Sequence, residues 1–287
     1  MKMDILTTDQ HQFFAKNGYL LLKGFFPMSA AKAAGEWLRS QDQLGLAKTW
    51  TDQEPGVALA VYQNIHKGDS PIAKLASDPR VLQAASEIME QETYIWSSKV
   101  NLKAAWCGTV EYYHQDYAYW RGRGYGDVKM LTCMTCLDPH SPKNGGLHVI
   151  PGSHTLGFVE HMGFINTNGL SKFMIPPKKL DQLSQDFGVL PIIAEPGDVL
   201  FFHAGLIHGS AHNISPDNRM IILTQMNTVG NIPDQVASKA KEFNLERASF
   251  EVAEAKRRLS WFEKKYKEQF ESNDVTFNSP IPDAEKE

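Results

Sequence analysis

The stretch YYHQDYAYW, residues 112–120, carries two potential metal ligands among aromatic residues that favour a β-strand. Side chains two positions apart on a strand share a face. His114 and Asp116 can therefore direct an imidazole nitrogen and a carboxylate oxygen at one point, with Gln115 turned away. Taken alone, the pair is more typical of a structural polar pair than of a metal site. A metal site would need a third ligand from an element distant in the sequence.

The third ligand is predicted at His208, near the end of the segment PGDVLFFHAGLIHGS, residues 196–210. This segment reads as a turn followed by a hydrophobic strand. Two histidines and one carboxylate on one face of an octahedral ion form the facial triad of non-haem Fe(II) oxygenases. Such a triad leaves three adjacent positions open for a cosubstrate and O₂.

Arg219 begins an otherwise apolar strand beyond His208, after a turn at residues 215–218. A guanidinium that faces into a barrel must be paired, because burying an unpaired charge is costly. Its natural partner is a carboxylate bound through two hydrogen bonds. The distal carboxylate of a 2-oxo acid that chelates the metal would meet this need. Ser210, on the same strand face as His208, could add a hydroxyl group.

The residues around these positions predict many short strands between residue 92 and about residue 227. Runs of β-branched and aromatic residues alternate there with proline and glycine, which indicates an antiparallel sandwich or barrel. Residues 155–188 are too many for a hairpin turn and are predicted to form a functional lid or an insertion.

Residues 1–91 predict a mainly helical preface. Thr7 and Gln10 have the form of a capping box before a first helix, YLLLKGFF at residues 19–26 reads as a short buried strand, and helices are predicted over 28–42 and 79–90.

Beyond the barrel, apolar residues three and four positions apart predict an amphipathic helix over 234–271. That helix either packs on its own barrel or forms the interface of a homodimer. Residues 272–287 are predicted to be a disordered tail.

Composition narrows the classes of partner. The chain has 287 residues, 42% of them hydrophobic, and a formal charge of −4, which gives no general electrostatic case for nucleic acid or an anionic membrane. It carries neither an N-terminal signal sequence nor an apolar run near the ~20 residues of a membrane span, so a cytoplasmic location is expected. Its 3 cysteines argue against a disulfide framework. Cys133 and Cys136 should face opposite sides of one strand, which disfavours a metal or redox pair.

Together these motifs resemble the phytanoyl-CoA dioxygenase (PhyH) family of Fe(II)/2-oxoglutarate-dependent oxygenases, including its ectoine-hydroxylase-like members. The resemblance rests on His114-x-Asp116, NGGLHVIPGSH at 144–154, PGDVLFFHAGLIHGSAHNIS at 196–215, Arg219 and the opening FFAKNGYLLLKGFF at 13–26. It covers about residues 8–228. It implies a mainly β fold with flanking helices, in which a double-stranded β-helix (jelly roll, cupin-like) core at 92–228 belongs to one domain over 1–233.

The resemblance also implies an enzyme that hydroxylates a C–H bond of a small molecule while 2-oxoglutarate and O₂ become succinate and CO₂. It implies Fe(II) bound by His114, Asp116 and His208. It implies 2-oxoglutarate held by Arg219 and Ser210, with Asn101 matching a cosubstrate-contacting asparagine. Halogenating relatives replace the carboxylate ligand with Ala or Gly, so Asp116 favours oxygenation.

The substrate is less defined by the sequence. Trp120 matches an aromatic residue at the mouth of the pocket in the family. Arg121 and Arg123 belong either to a solvated loop or to a site that captures an anionic group. Lys103 alternates with Lys99 and Asn101 on one strand face, which is either solvated or a pocket wall. Substrate contacts are therefore predicted at Trp120, Arg121, Arg123 and Lys103.

Other functions remain open at this stage. The same cofactors support desaturation, epoxidation or demethylation. A non-catalytic jelly roll that keeps a metal is a further alternative, and a zinc hydrolase is weaker because hydrolysis does not need Arg219. The remaining histidines near the site in sequence are predicted to be structural: His148, His154, His161, His203 and His212.

Overall fold

The computed structural model describes residues 4–43, 49–50, 59–106, 110–126, 128–165 and 171–233. In chain order its helices are α1 (Thr8–Asn17), α2 (Met28–Gln43), α3 (Pro71–Ala76), α4 (Pro79–Met89), α5 (Tyr117–Arg121) and α6 (Pro177–Phe187). Its strands are β1 (Tyr19–Leu22), β2 (Thr49–Trp50), β3 (Leu59–Gln63), β4 (Thr93–Lys103), β5 (Glu111–His114), β6 (Met130–Cys136), β7 (Leu147–Val149), β8 (Met162–Ile165), β9 (Ser171–Met174), β10 (Leu190–Pro191), β11 (Val199–His203), β12 (His208–Ser210) and β13 (Arg219–Thr228).

Two sheets face each other to form the core. The larger sheet has the strand order β1-β11-β6-β13-β4-β3-β2, and the smaller has the order β10-β7-β12-β5. Apolar side chains from both fill the space between them, including Met134, Leu200 and Ile221 from the larger sheet and Val149 from the smaller. Strands distant in sequence are neighbours in both sheets, which confirms the predicted jelly-roll core.

The N-terminal helices cover the outer face of the larger sheet. Helix α1 begins as predicted, since the Thr7 side chain accepts from the Gln10 N–H and the Gln10 side chain accepts from the Thr7 N–H. Residues Phe14, Ala34 and Val81 of α1, α2 and α4 belong to one apolar cluster with the strands beneath them. The short strand predicted at residues 19–26 is β1 (Tyr19–Leu22), whereas β2 and β3, which also join the larger sheet, were not predicted.

Residues 153–165 and 171–187 form ordered structure around the open edge of the smaller sheet. A 3-10 turn (Ser153–Leu156) leads to the β8–β9 hairpin, and α6 follows. The Ile175 N–H donates to the Tyr113 carbonyl at 2.8 Å, so the chain leaving β9 is bonded to β5. Leu183 of α6 packs with Ile150 and Ile207 beneath the sheet.

The opening stretch 112–120 differs from its prediction. Strand β5 ends at His114, and Asp116 has helical backbone angles, φ −53° and ψ −32°, at the start of α5. The reason lies in Gln115, whose side-chain amide donates to the Gly157 and Gly205 carbonyls and accepts from the Val159 N–H. These bonds satisfy the buried amide only where the chain leaves the strand.

Two further expectations concern the remaining residues. Cys133 and Cys136 lie in different apolar clusters on the two faces of β6, and burial raises the pKa of each thiol to about 12. The helix predicted over 234–271 and the tail at 272–287 lie outside the described residues. None of the helices in the described part of the chain combines the length and apolar character that a membrane span requires.

Candidate metal centre and cosubstrate pocket

His114 and His208 lie side by side on neighbouring strands of the smaller sheet. They are directly paired between β5 and β12, with ring centroids 4.5 Å apart. The Nδ1 atom of His114 lies 2.7 Å from the Tyr112 carbonyl, and that of His208 lies 2.9 Å from the Leu206 carbonyl. A carbonyl can only accept, so each Nδ1 carries a proton, and Nε2 is the ring nitrogen left to bind a metal.

Asp116 brings the third ligand atom to the same point. Its Oδ1 lies 3.5 Å from His114 Nε2 and 3.6 Å from His208 Nε2, while its Oδ2 accepts from the Thr132 hydroxyl at 2.9 Å. Burial raises the pKa of this carboxyl, but the neighbouring His208 and His114, followed by Lys99, outweigh it and hold the pKa of Asp116 below its usual value. Asp116 is therefore an anion with one oxygen held and one directed at the histidines.

The donor set fits a divalent iron ion. The three ligand atoms lie within 4.8 Å of one another. Two neutral imidazoles and one carboxylate on one side of a common point are the facial set that non-haem iron uses. Among the described residues, no other cysteine, histidine or acidic side chain joins a group of three. Burial lowers the pKa of His208 to about 4, which keeps its Nε2 unprotonated at neutral pH.

Arg219 and Lys103 form a cationic end to the same interior, beyond Ser210. They are paired in register between β13 and β4, and each is at most 3% exposed. The Lys103 ammonium donates to Ser210 Oγ at 2.7 Å and to the Ala211 carbonyl at 2.5 Å. Burial, followed by the charge of Arg219, lowers the pKa of Lys103 to about 7. Two buried cations side by side indicate a site for an anion.

Two polar atoms in this pocket are without a protein partner. Arg219 Nε and Asn101 Oδ1 are buried and have no hydrogen bond among the described residues. Buried polar atoms of this kind are rare unless a ligand or water completes them. They mark where an anion with its own donors and acceptors would bind.

The motif NGG contributes space to this pocket. Gly145 has φ +71°, and a Cβ there would lie 2.8 Å from Lys103 Cδ and 2.7 Å from the Ala211 carbonyl. A larger residue would therefore strain the backbone and push Lys103 away from Ser210.

Three further charged side chains lie between the metal ligands and the hairpin. Lys172 of β9 donates to both oxygens of Glu111 at 2.9 and 3.0 Å. Burial would raise the pKa of Glu111, but Lys172, followed by His114 and Lys99, lowers it to about 2. Lys99, on the same face of β4 as Lys103, has no hydrogen-bond acceptor in the described part of the chain. Burial lowers the pKa of Lys99, although the charges of Asp116 and Glu111 oppose this.

The residues predicted to contact substrate are placed differently. Trp120 is only 3% exposed and packs against Trp96, Tyr125 and Met130, away from the open mouth. Arg121 is the last residue of α5, not part of a loop, and its guanidinium lies 4.3 Å from the centre of the Phe158 ring.

Arg123 stacks in a similar way, 5.0 Å from the centre of the Trp120 ring. Both guanidinium groups thus form cation–π contacts that join parts of the fold.

Several functional contacts were missing from the sequence interpretation. Gln115 was expected only to point away from the metal, yet its three bonds fix the turn that aims Asp116. Thr132, Glu111 and Lys172 were not singled out. Thr132 could have been suspected as a hydroxyl on a central strand that is otherwise apolar around it. The pairing of Glu111 with Lys172 connects residues 61 positions apart, and no local signal announces it.

The other histidines have structural partners. His161 accepts from the Gln115 N–H at 3.0 Å and donates to the Val159 carbonyl at 2.6 Å. His154 contacts the Ala15 carbonyl at 3.1 Å, and His203 accepts from the Gly205 N–H at 3.0 Å. These contacts agree with their predicted structural roles.

Comparison with known sequences finds a family match and curated relatives. Residues 14–221 match the family described as phytanoyl-CoA dioxygenase (PhyH). The ectoine dioxygenase of Bordetella bronchiseptica is 28% identical over 239 residues, 79% of this chain and 77% of that protein. The L-proline trans-4-hydroxylase of Streptomyces griseoviridis is 29% identical over 192 residues, 63% of this chain and 72% of that protein.

Solved structures give the same relationship. EctD from S. alaskensis with bound Fe has a TM-score of 0.66 and 27% identity, covering 82% of this chain and 81% of that chain. EctD with 2-oxoglutarate and 5-hydroxyectoine has a TM-score of 0.65 and 25% identity, covering 82% of this chain and 80% of that chain.

Proposed function

The chain belongs to the PhyH family of Fe(II)/2-oxoglutarate-dependent dioxygenases, and on this premise we propose that it hydroxylates a C–H bond of a small, anionic molecule. The observation that carries the proposal is strand β12, which holds the metal ligand His208 two residues from Ser210, and Ser210 bonds Lys103 in a cationic pocket with unpaired polar atoms. A zinc hydrolase or a silent metal-binding jelly roll would not require the second part.

For the iron we propose the ligands His114, Asp116 and His208. Each is held by a further bond before the ion arrives: the two imidazoles through Nδ1 and the carboxylate through Thr132. Such preorientation reduces the cost of binding and fixes which atoms face the ion.

For 2-oxoglutarate we propose that Arg219, Lys103 and Ser210 bind the distal carboxylate. The buried Arg219 Nε and the Lys103–Ser210 contact support this assignment. It moves Lys103 from the predicted substrate contacts to the cosubstrate. Asn101, whose Oδ1 faces the same interior without a partner, completes the proposed pocket.

The protein's own part in the reaction is placement and exclusion of water. When bound, iron and 2-oxoglutarate supply the O₂-activating chemistry that oxidises a C–H bond, with succinate and CO₂ as the products of the cosubstrate. Tyr119 packs edge-on to the His114 ring at 5.7 Å and to Phe173 of the hairpin at 4.9 Å. These rings wall the metal side of the site against solvent.

For the substrate we propose an anionic group bound by Lys99. Its ammonium is half-buried, shares a strand face with Asn101 and Lys103, and lies near enough to Asp116 for each charge to shift the other's pKa. The names of the relatives make ectoine and L-proline the first compounds to test. Arg121 and Arg123 have a smaller part in this proposal, because both guanidinium groups already stack on aromatic rings.

For the organisation of the chain we propose one dioxygenase domain over residues 1–233, a cytoplasmic location, and a homodimer formed through the helix predicted at 234–271. Light scattering of the full chain with and without Leu259→Glu, in the apolar stripe of that helix, tests the dimer. A monomeric wild type contradicts it.

The function is tested by anaerobic addition of Fe(II) and 2-oxoglutarate, which should produce the visible charge-transfer absorbance of the chelate. Arg219→Ala should require far more 2-oxoglutarate to reach the same absorbance, while Arg80→Ala, which removes an exposed arginine, should match wild type. Absence of the absorbance in wild type contradicts the proposal.

The substrate class is then tested by succinate release with ectoine, L-proline and L-prolinamide, in which an uncharged amide replaces the carboxylate. The carboxylates should stimulate release and the amide should not, and Lys99→Met should remove the difference. Equal stimulation by acid and amide contradicts an anionic substrate.

A further inference from the structure

Glu111 is an internal carboxylate beside the cosubstrate pocket. It lies opposite Ser210 across β5 and β12, beyond an irregularity in the register of the two strands. Ser210 in turn contacts the Lys103 ammonium at 2.7 Å. Burial lowers the pKa of Lys103 and of Arg219, and the negative charge of Glu111 acts in the opposite direction on both. A protein carboxylate thus lies close enough for its charge to act on the cations proposed to bind the carboxylate of 2-oxoglutarate.

Lys172 of the β8–β9 hairpin is hydrogen-bonded to both carboxylate oxygens of Glu111. Its ammonium lies 2.9 and 3.0 Å from the two carboxylate oxygens, and both side chains are less than 30% exposed, at 21% and 29%. The pair joins β9 to the strand that carries His114. Tyr119, hydrogen-bonded to the Phe173 backbone and packed on its ring, makes a second contact between the hairpin and the metal side of the site.

From this arrangement we propose that Lys172 keeps Glu111 from competing with 2-oxoglutarate. With the β8–β9 hairpin in place, Glu111 is bound to Lys172. With the hairpin displaced, the partly buried carboxylate loses its partner. The cations on which its charge already acts are Lys103, Arg219 and Lys99, and it would then compete for them. Closure of the hairpin and binding of the cosubstrate are therefore thermodynamically coupled, and each favours the other.

The inference rests on the proposed function, and its prediction for the two substitutions differs from that of electrostatic effects alone. If Lys172 and Glu111 acted only through their fields on the bound anion, their effects on affinity would add. If Lys172 instead keeps Glu111 away from the cosubstrate's cations, which we call sequestration, the effects of the two substitutions on affinity are not additive. Glu111→Gln alone should change the affinity for 2-oxoglutarate by less than about twofold, because both oxygens of the carboxylate are already bound to Lys172. Lys172→Met alone should weaken it at least about fivefold, and the double variant should return to within about twofold of wild type.

The experiment is an anaerobic titration of the Fe(II)-loaded full chain with 2-oxoglutarate, followed by its charge-transfer absorbance. Lys172→Arg, which can keep the pair, should match wild type. Lys178→Met, which removes the same charge from an exposed position on α6, should also match it. Hydrogen exchange of residues 171–174 gives an independent readout, and 2-oxoglutarate should slow it in wild type more than in Lys172→Met.

The outcomes are distinguishable. No absorbance in wild type removes the proposed function. If Lys172→Met shows normal absorbance and wild-type affinity for 2-oxoglutarate, the sequestration alone is overturned. It is also overturned if Glu111→Gln raises that affinity by the same factor with and without Lys172. If Lys172→Met does not fold, the comparison of Glu111→Gln with the double variant decides: their affinities should agree, and a difference of fivefold or more overturns the inference.

Discussion

The two ends of the site are built in different ways. At the metal end, each ligand side chain has a protein partner that orients it: the carbonyls of Tyr112 and Leu206 for the histidines, and Thr132 for Asp116. At the cosubstrate end, Arg219 and Asn101 keep buried polar atoms without partners among the described residues. The first end is complete before its ion binds, whereas the second is completed by its ligand. Substitutions should therefore affect the two ends in different ways.

The largest effect is expected from Asp116→Ala at the metal end. It removes one of three ligands and leaves two buried imidazoles, so affinity for Fe(II) should fall at least about 100-fold and 2-oxoglutarate turnover should be lost. Iron content after dialysis and succinate release measure both. Asp186→Asn, at an exposed position on α6, is the control. Retained iron with Asp116→Ala would mean that another residue supplies the third ligand.

The next largest effect is expected from Arg219→Met at the cosubstrate end, which should weaken ligand binding but stabilise the unliganded protein. Arg219→Met should weaken 2-oxoglutarate binding by about 2–3 kcal/mol, or 30- to 150-fold, since a charge-assisted bidentate contact is lost. The same variant without ligands should unfold at a higher temperature than wild type, because a buried cation is removed. Thermal unfolding with and without 2-oxoglutarate tests this, and lower stability of the unliganded variant contradicts a ligand-completed pocket.

A smaller effect is expected from Thr132→Val, which keeps the shape of the side chain but frees Asp116 Oδ2. Fe(II) affinity should fall about 10-fold, in the lower part of the range for groups that orient metal ligands. Thr135→Val on the same strand is the matched control. Metal competition with a chelator measures the change, and equal affinities in both variants would show that Thr132 does not orient the carboxylate.

The smallest effect is a pH dependence at the cosubstrate end. The pKa of Lys103 is lowered to about 7, so its ammonium loses charge as pH rises through 7. Affinity for 2-oxoglutarate should fall severalfold between pH 6.5 and 8.5. Over the same range the unliganded protein should gain stability, because the unfolded lysine binds more protons than the folded one. Lys103→Met should flatten both profiles, and an unchanged profile would assign the titration to another group.

Sequence patterns were sufficient where the signal was local or periodic. The strand before His208 and the isolated Arg219 could be read from side-chain period and burial cost, because both act on neighbouring residues, whereas the jelly roll that brings them together was implied by the family resemblance. The capping box at Thr7 defined the first helix for the same reason.

The remaining features depend on contacts that no local pattern encodes. Asp116 leaves the strand because Gln115 is bonded to residues 42 and 90 positions away. Lys103 was assigned to substrate because sequence could not show that it reaches Ser210, 107 positions later. Lys172 lies in a segment predicted only as a lid or insertion, and its pairing with Glu111 depends on tertiary packing.

The direct pairing of His114 with His208 has a consequence for the folded state itself. β5 is the last strand of the smaller sheet, and it is paired with β12 at His208 and near Ser210, with an irregular register between. An ion bound by both histidines and by Asp116 would cross-link this edge to its neighbour and to the start of α5. At a free-metal concentration 100 times its dissociation constant, that link adds about 2.7 kcal/mol to the stability of the folded chain. Iron supply would then set resistance to proteolysis at this edge.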